Sequence, residues 1–174
     1  MLASMLVVSC DKDESLDPRP VLVSGQFIKF DITSKIFNFV DINNTKFGGL
    51  LTTPGNKVKN YKLYVRMSDA VNPANDFTLI KEISTFPTDL YFTPQDIATT
   101  LGIPLSDIKK GNTFEFYGVT FDEAGKRVDL SNLSAVVRAN STAYKHGYRF
   151  VTAIEDTSNY RAIDFEVINN WEGI

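Results

Sequence analysis

Residues 61–67 have the sequence YKLYVRM and show the clearest period-two alternation in the chain. Apolar side chains occupy every second position: Tyr61, Leu63, Val65 and Met67. The positions between them hold Lys62, Tyr64 and Arg66. Because successive side chains of a strand point to opposite faces of a sheet, this spacing predicts a β-strand with one buried face and one polar face.

Similar short segments follow one another along most of the chain. Those that predict further strands are 26–32, 36–40, 47–51, 77–83, 113–121, 127–130, 133–139, 148–154 and 161–168. Turn residues separate several of them, as at 53–56 (Thr-Pro-Gly-Asn) and 122–125 (Asp-Glu-Ala-Gly). Many short strands with turns between them predict an all-β fold, and specifically a β-sandwich.

One short helix interrupts this pattern. Thr93 is a good N-cap, Pro94 suits the first helical position, and Asp96 stands three residues after Thr93, as in a capping box. Gly102 marks the end of the segment. We therefore expect a two-turn helix from residue 94 to residue 102, inserted between two strands of the sandwich.

The composition limits the classes of function. The chain has 174 residues, 43% of them hydrophobic, with 13 Phe and 7 Tyr, which is enough for one well-packed domain. Its formal net charge of −3 gives no electrostatic basis for binding nucleic acid. It contains no apolar stretch of 18 residues that could span a membrane and only one cysteine, so no disulfide can form within the chain.

That single cysteine, Cys10, follows a short apolar segment and precedes the acid-rich run Asp11-Lys12-Asp13-Glu14. The segment Val7-Val8-Ser9-Cys10 resembles the lipobox of bacterial lipoproteins, which implies that Cys10 is lipidated and that residues 1–9 are a signal segment. No Lys or Arg precedes Cys10, so we expect this signal to have a truncated or misassigned start. The alternative for Cys10 is a buried free cysteine beside a short apolar strand.

The acidic run resembles the export signal of surface lipoproteins in Bacteroidota-type bacteria. This resemblance implies a protein that is lipid-anchored in the outer membrane and faces the cell surface. A charge-rich, solvated segment is the simpler interpretation of the same residues, and both can hold. We expect residues 10–20 to form a lipidated flexible tether between the membrane and the folded domain.

From residue 61 to residue 138 the order of predicted elements resembles an immunoglobulin or fibronectin type III-like module. Residues 61–66 resemble its C strand, 77–83 the strand paired with C, and 114–120 its F strand. Segments around residues 85–88, 92–98 and 101–103 are similar to accessory lipoproteins of Sus-like glycan-uptake systems. We expect the sandwich to span 21–140. Residues 141–174 would add a β-hairpin or begin a second domain.

Catalytic chemistry has little support in the sequence. His146 is the only histidine, which excludes a two-histidine metal motif, and we expect it to lie in a solvent-exposed turn. Two carboxylates about 5–10 Å apart could still form a glycosidase site, and Glu115, Asp122 and Glu123 are the nearest candidates. We predict no catalytic residues, no metal site and no cofactor, and therefore a protein that is not an enzyme.

A recognition surface is the remaining possibility. Tyr64, between Lys62 and Arg66 on the polar side of its strand, could stack on a sugar ring, with Trp171 as a second candidate. Tyr64 could equally form a cross-strand pair, and Trp171 could pack at an edge. With the resemblance to Sus-like systems, we expect glycan binding or association with an outer-membrane transporter. The alternative function is structural or adhesive, through protein–protein contacts.

Overall fold

The computed structural model describes residues 25–55, 57–68 and 76–157, and these residues form an all-β fold. The strands within those ranges are β1 (Lys29–Ser34), β2 (Phe37–Asn38), β3 (Phe47–Thr52), β4 (Asn60–Ser68), β5 (Thr78–Ile83), β6 (Thr88–Phe92), β7 (Thr113–Phe121), β8 (Arg127–Val128) and β9 (Arg149–Glu155). The α-helices are α1 (Pro94–Leu101), α2 (Ala135–Ala139) and α3 (Ser141–Tyr144). None of these helices is long and apolar enough to cross a membrane.

The strands form two sheets. One has three strands in the order β1-β3-β6, and the other has the order β2-β9-β7-β4-β5, with β8 paired to β7. Strand β4 confirms the alternation in residues 61–67, since Tyr61, Leu63 and Val65 are fully buried. Its pairing with β5 and β7 is antiparallel, and the β5 register is irregular between Leu63 and Tyr64. Alternate side chains of β4 and β7 share a face, because their register is regular.

The two sheets pack face to face through aromatic rings. Phe116 of β7 stacks on Phe47 of β3 and on Phe92 of β6, with ring centroids 5.6 and 5.4 Å apart. Within its own sheet Phe116 stacks on Phe150 at 4.9 Å. Since Phe47 and Phe92 belong to the three-stranded sheet, these rings hold the two layers of the sandwich together.

Helix α1 confirms the predicted capping. The Thr93 hydroxyl accepts from the Asp96 amide, and the Asp96 carboxylate accepts from the Thr93 amide. Gly102 ends the helix in the left-handed conformation, with φ of 68°. Ile97 and Ala98 are buried, so the helix covers the core beside β5.

Three local predictions were wrong. Segment 133–139 contains helix α2 instead of a strand, because Ser134 caps the Val137 amide and starts a helical turn. Only Phe37–Asn38 of segment 36–40 is extended, because Asn38 then caps a 3₁₀ turn over Phe39–Asp41. Strand β6 was missed, although it pairs with β3 along five residues.

Strand β9 extends the six-stranded sheet beyond residue 140, the expected end of the sandwich. Residues 149–153 pair with β7, and Ile154 and Glu155 pair with β2. Ile154 also bonds through its backbone to Gly111 and Asn112 on the side opposite β2. The end of β9 therefore has backbone partners on both edges. The predicted strand at 161–168 lies outside the described residues.

Candidate functional site

The outer face of the six-stranded sheet brings together polar and aromatic side chains from three neighbouring strands. The register pairs Tyr64 with Tyr117 and Arg66 with Glu115 across β4 and β7, and Tyr117 with Arg149 across β7 and β9. Paired residues point to the same side of a sheet. We use "outer face" for Lys62, Tyr64, Arg66, Phe77, Glu115, Tyr117 and Arg149.

A shared carboxylate lies at the centre of the outer face. Glu115 accepts from Arg66 Nε at 2.7 Å and from Arg149 Nε at 2.6 Å. Its side chain is only 15% exposed, whereas those of Arg66 and Arg149 are 30% and 53% exposed. Two guanidinium groups therefore share one carboxylate, which fixes their positions and leaves one positive charge unbalanced.

Aromatic rings lie next to this group of charges. The ring centroids of Phe77 and Tyr117 are 5.6 Å apart, and the Arg66 guanidinium lies 4.4 Å from the Phe77 centroid. Partial burial and the negative charge of Asp129 raise the pKa of Tyr117, so its hydroxyl stays neutral. Tyr64 is half-buried beside Tyr117 and Leu79. The result is a band of rings and guanidinium groups.

The three binding residues predicted on strand β4, Lys62, Tyr64 and Arg66, share the outer face, as their alternation predicts. Lys62 pairs with Glu82 at 3.5 Å, and Arg66 contacts Glu115 and Phe77, so both side chains are held in place within the sheet and keep further N–H donors. Cys10 and Trp171 lie outside the described residues.

Sequence reasoning missed Phe77, Tyr117 and Arg149 as members of the outer face. The alternation in segment 113–121 does put Glu115 and Tyr117 on one side of their strand. Only the pairing of β7 with both β4 and β9 shows that these side chains meet Tyr64 and Arg149. Local periodicity predicts where strands occur but does not predict which distant strands pair with each other.

A cleft of about 400 Å³ lies beside the outer face, between β1, β9 and α3. We call it the edge cleft, and its lining includes Asp31, Lys35, Lys145, His146, Arg149 and Phe150. Lys145 donates to Asp31 at 2.7 Å, and this hydrogen bond holds the pKa of Asp31 below its usual value. Because Arg149 belongs to both features, the outer face and the edge cleft adjoin each other.

The prediction that His146 is solvent-exposed was wrong. The residue is only 6% exposed, because the segment around it joins the edge of the three-stranded sheet: Lys29 bridges to His146, and the Gly147 amide donates to Ile28. Burial lowers the pKa of His146, so its ring is neutral at pH 7. Neither ring nitrogen has a hydrogen-bond partner among the described residues.

The carboxylates considered for a glycosidase do not converge. Glu115 is the third residue of β7, whereas Asp122 and Glu123 follow the end of that strand. At about 3.3 Å per strand residue, the separation of Glu115 and Asp122 along the strand is about 23 Å, well beyond the spacing of a glycosidase pair. Asp122 instead accepts from turn amides and Glu123 pairs with Lys59. Within the described part of the chain, no cluster of three or more potential metal ligands occurs.

No protein-family model, curated protein or solved structure matches the chain.

Proposed function

We propose that this protein is a non-catalytic surface lipoprotein whose outer face binds a glycan. The observation that supports the proposal is the juxtaposition of Tyr64, Tyr117 and Phe77 with the Arg66–Glu115–Arg149 group. Sugar rings have an apolar face that stacks on aromatic side chains and hydroxyls that bond to charged groups. A sheet face holding both features in fixed positions suits such a ligand.

The charged group serves binding better than catalysis. Glu115 is held between two guanidinium groups, so both of its carboxylate oxygens already accept hydrogen bonds within the sheet. The same interactions orient Arg66 and Arg149 before any ligand arrives, which lowers the entropy lost on binding. We therefore propose that the protein is not an enzyme and requires neither metal nor cofactor.

The finer fold assignment is also a proposal, namely an immunoglobulin or fibronectin type III-like sandwich with α1 as an insertion. The order β9-β7-β4-β5 is that of strands G, F, C and C′ in variable-type immunoglobulin domains. Strands β1, β3 and β6 then correspond to A, B and E. Helix α1 occupies the connection from E to F.

Removing an aromatic ring from the outer face should weaken glycan binding. We expect Tyr64→Ala and Tyr117→Ala each to lower affinity about tenfold, the effect of losing about 1.4 kcal/mol. Affinity gel electrophoresis against a panel of neutral and acidic polysaccharides measures retention of each variant. Tyr91→Ala is the matched control, since Tyr91 is a 38% exposed tyrosine on β6 of the other sheet. Unchanged retention in both outer-face variants would contradict the proposal.

The anchor proposal concerns Cys10 and the location of the protein. We propose that its lipid holds the domain on the outer membrane, facing the cell surface, as an accessory of a Sus-like transporter. Two or three acyl chains, at about 0.8 kcal/mol per buried methylene, give stable anchoring. We expect Cys10→Ser to move the protein from the membrane fraction to the soluble fraction in a bacterial host that processes lipoproteins. Unchanged membrane fractionation would contradict this prediction.

The second candidate function is structural or adhesive, through protein–protein contacts. Among the described residues, β5 has no strand partner on the edge opposite β4, and its Leu79 is 44% exposed. An unpaired strand edge can accept a strand from another protein. A Leu79→Lys variant distinguishes the two functions. If it binds glycan with unchanged affinity but no longer assembles on the cell surface, the second function is favoured.

A further inference from the structure

The edge cleft has an excess of positive charge in a protein whose formal net charge is −3. Lys145 is balanced by Asp31, and Arg149 shares the single carboxylate of Glu115 with Arg66. Lys35 lines the same cleft, is exposed, and has no carboxylate partner among the described residues. Two positive charges therefore remain unbalanced, one on Lys35 and one in the Arg66–Glu115–Arg149 group.

The rest of the cleft suits a ring that bears hydroxyl groups. Phe150 is half-buried in its wall, and Ser141 and Thr142 of α3 lie at its rim. His146 also lines it. The cleft volume of about 400 Å³ is that of a small-ligand site.

We infer that the edge cleft receives an acidic sugar residue, a ring carrying a carboxylate or ester sulfate, of the glycan bound by the outer face. This inference rests on the proposed function. Lys35 and Arg149 bind the oxyanion, and the Phe150 wall contacts the sugar ring. Arg149 lies on both the outer face and the cleft, so one continuous chain of sugar residues can occupy the two.

An acidic residue fits better than a neutral one because it balances these charges. Hydrogen bonds between a cation and an oxyanion are shorter and stronger than those to a neutral hydroxyl. A guanidinium also presents two parallel donors that match a carboxylate or a sulfate. A neutral sugar in the same place would not balance the positive charge of Lys35 and the arginine pair. Its hydrogen bonds to these groups would also be weaker than those of an oxyanion.

The test compares polymers that share a sugar backbone and differ in whether that backbone carries an acidic group. Polygalacturonate is compared with its fully methyl-esterified form, and dextran sulfate with dextran, so that the carboxylate and sulfate are examined separately. Titration calorimetry gives the affinity of the wild-type chain and of Lys35→Gln. Lys81→Gln is the matched control, because Lys81 is an exposed lysine on β5, at the opposite end of the sheet. Thermal unfolding verifies that each variant is folded.

We expect one acidic polymer to bind and its uncharged counterpart to bind at least about tenfold more weakly. Lys35→Gln should lower the affinity for the acidic polymer about fivefold, whereas Lys81→Gln should leave that affinity unchanged. Equal binding of charged and uncharged forms, with both weakened by Tyr117→Ala, overturns the acidic-sugar inference and leaves glycan binding supported. Equal losses in the two lysine variants overturn the assignment to the cleft. If no acidic polymer binds, the inference is wrong, and the neutral polysaccharide panel separately decides the proposed function.

Discussion

Phe116→Ala lowers the free energy of unfolding by about 3–5 kcal/mol, the usual loss when a buried phenylalanine is truncated in a core. Phe116 is fully buried and its ring stacks on Phe47, Phe92 and Phe150, which come from both sheets. Removing it loses the transfer free energy of the ring and leaves a cavity at the interface between the layers. Chemical denaturation monitored by circular dichroism measures the effect.

The control for this prediction is Phe39→Ala. Phe39 lies in a 3₁₀ turn and is 40% exposed, so the same substitution should cost about 1 kcal/mol or less. A similar loss in the two variants would mean that the ring stack around Phe116 does not hold the sheets together. A loss confined to Phe116→Ala would support the face-to-face packing as the main source of stability.

Gly49→Ala should be nearly as destabilising, for a different reason. A Cβ atom at Gly49 would lie 1.9 Å from the backbone oxygen of Asp31 and 2.9 Å from the Cα of Ile32. These are backbone atoms of the paired strand β1, so no side-chain rotation can relieve the overlap. Strands β1 and β3 must separate locally, and we expect a loss of about 3 kcal/mol or more.

Gly55→Ala provides the matched control for that substitution. Of the residues that the structure describes, a Cβ atom there would meet only the Gly25 oxygen, at the ordinary contact distance of 3.7 Å. Because alanine reduces the conformational entropy of the unfolded chain, this variant should be neutral or stabilised by up to about 1 kcal/mol. Amide hydrogen exchange should show faster opening of β1 and β3 in Gly49→Ala alone. Equal exchange rates in the two variants would refute the steric argument.

The predicted site residues show what local sequence patterns can give. The alternation in residues 61–67 correctly separated the buried face of β4 from the face that holds Lys62, Tyr64 and Arg66. It could not show that Arg66 is bound to Glu115, because their contact depends on which distant strand pairs with β4. It also could not show that Lys62 and Arg66 each form an ion pair within the protein, which fixes their positions on the outer face.

The segments between residues 133 and 147 were the least predictable part of the fold. Residues 133–139 contain enough apolar side chains to predict a strand, yet the Ser134 cap starts helix α2. His146 stands between polar residues, yet backbone pairing with β1 buries it. The Ser134 cap is a local signal that the apolar content of its segment outweighed in the prediction, whereas the burial of His146 depends on pairing with a distant strand.

Local patterns in the chain predict the all-β class, most of the long strands with their buried faces, and the capped helix at Thr93. Side-chain alternation and capping depend on residues a few positions apart, so they can be recognised without knowing the fold. The strand order, the outer face and the charged edge cleft depend on contacts that form only when the chain folds. These features join distant segments, such as those of Asp31 and Lys145, which are 114 residues apart. Such non-local pairing is set by how both sheets bury their apolar faces together.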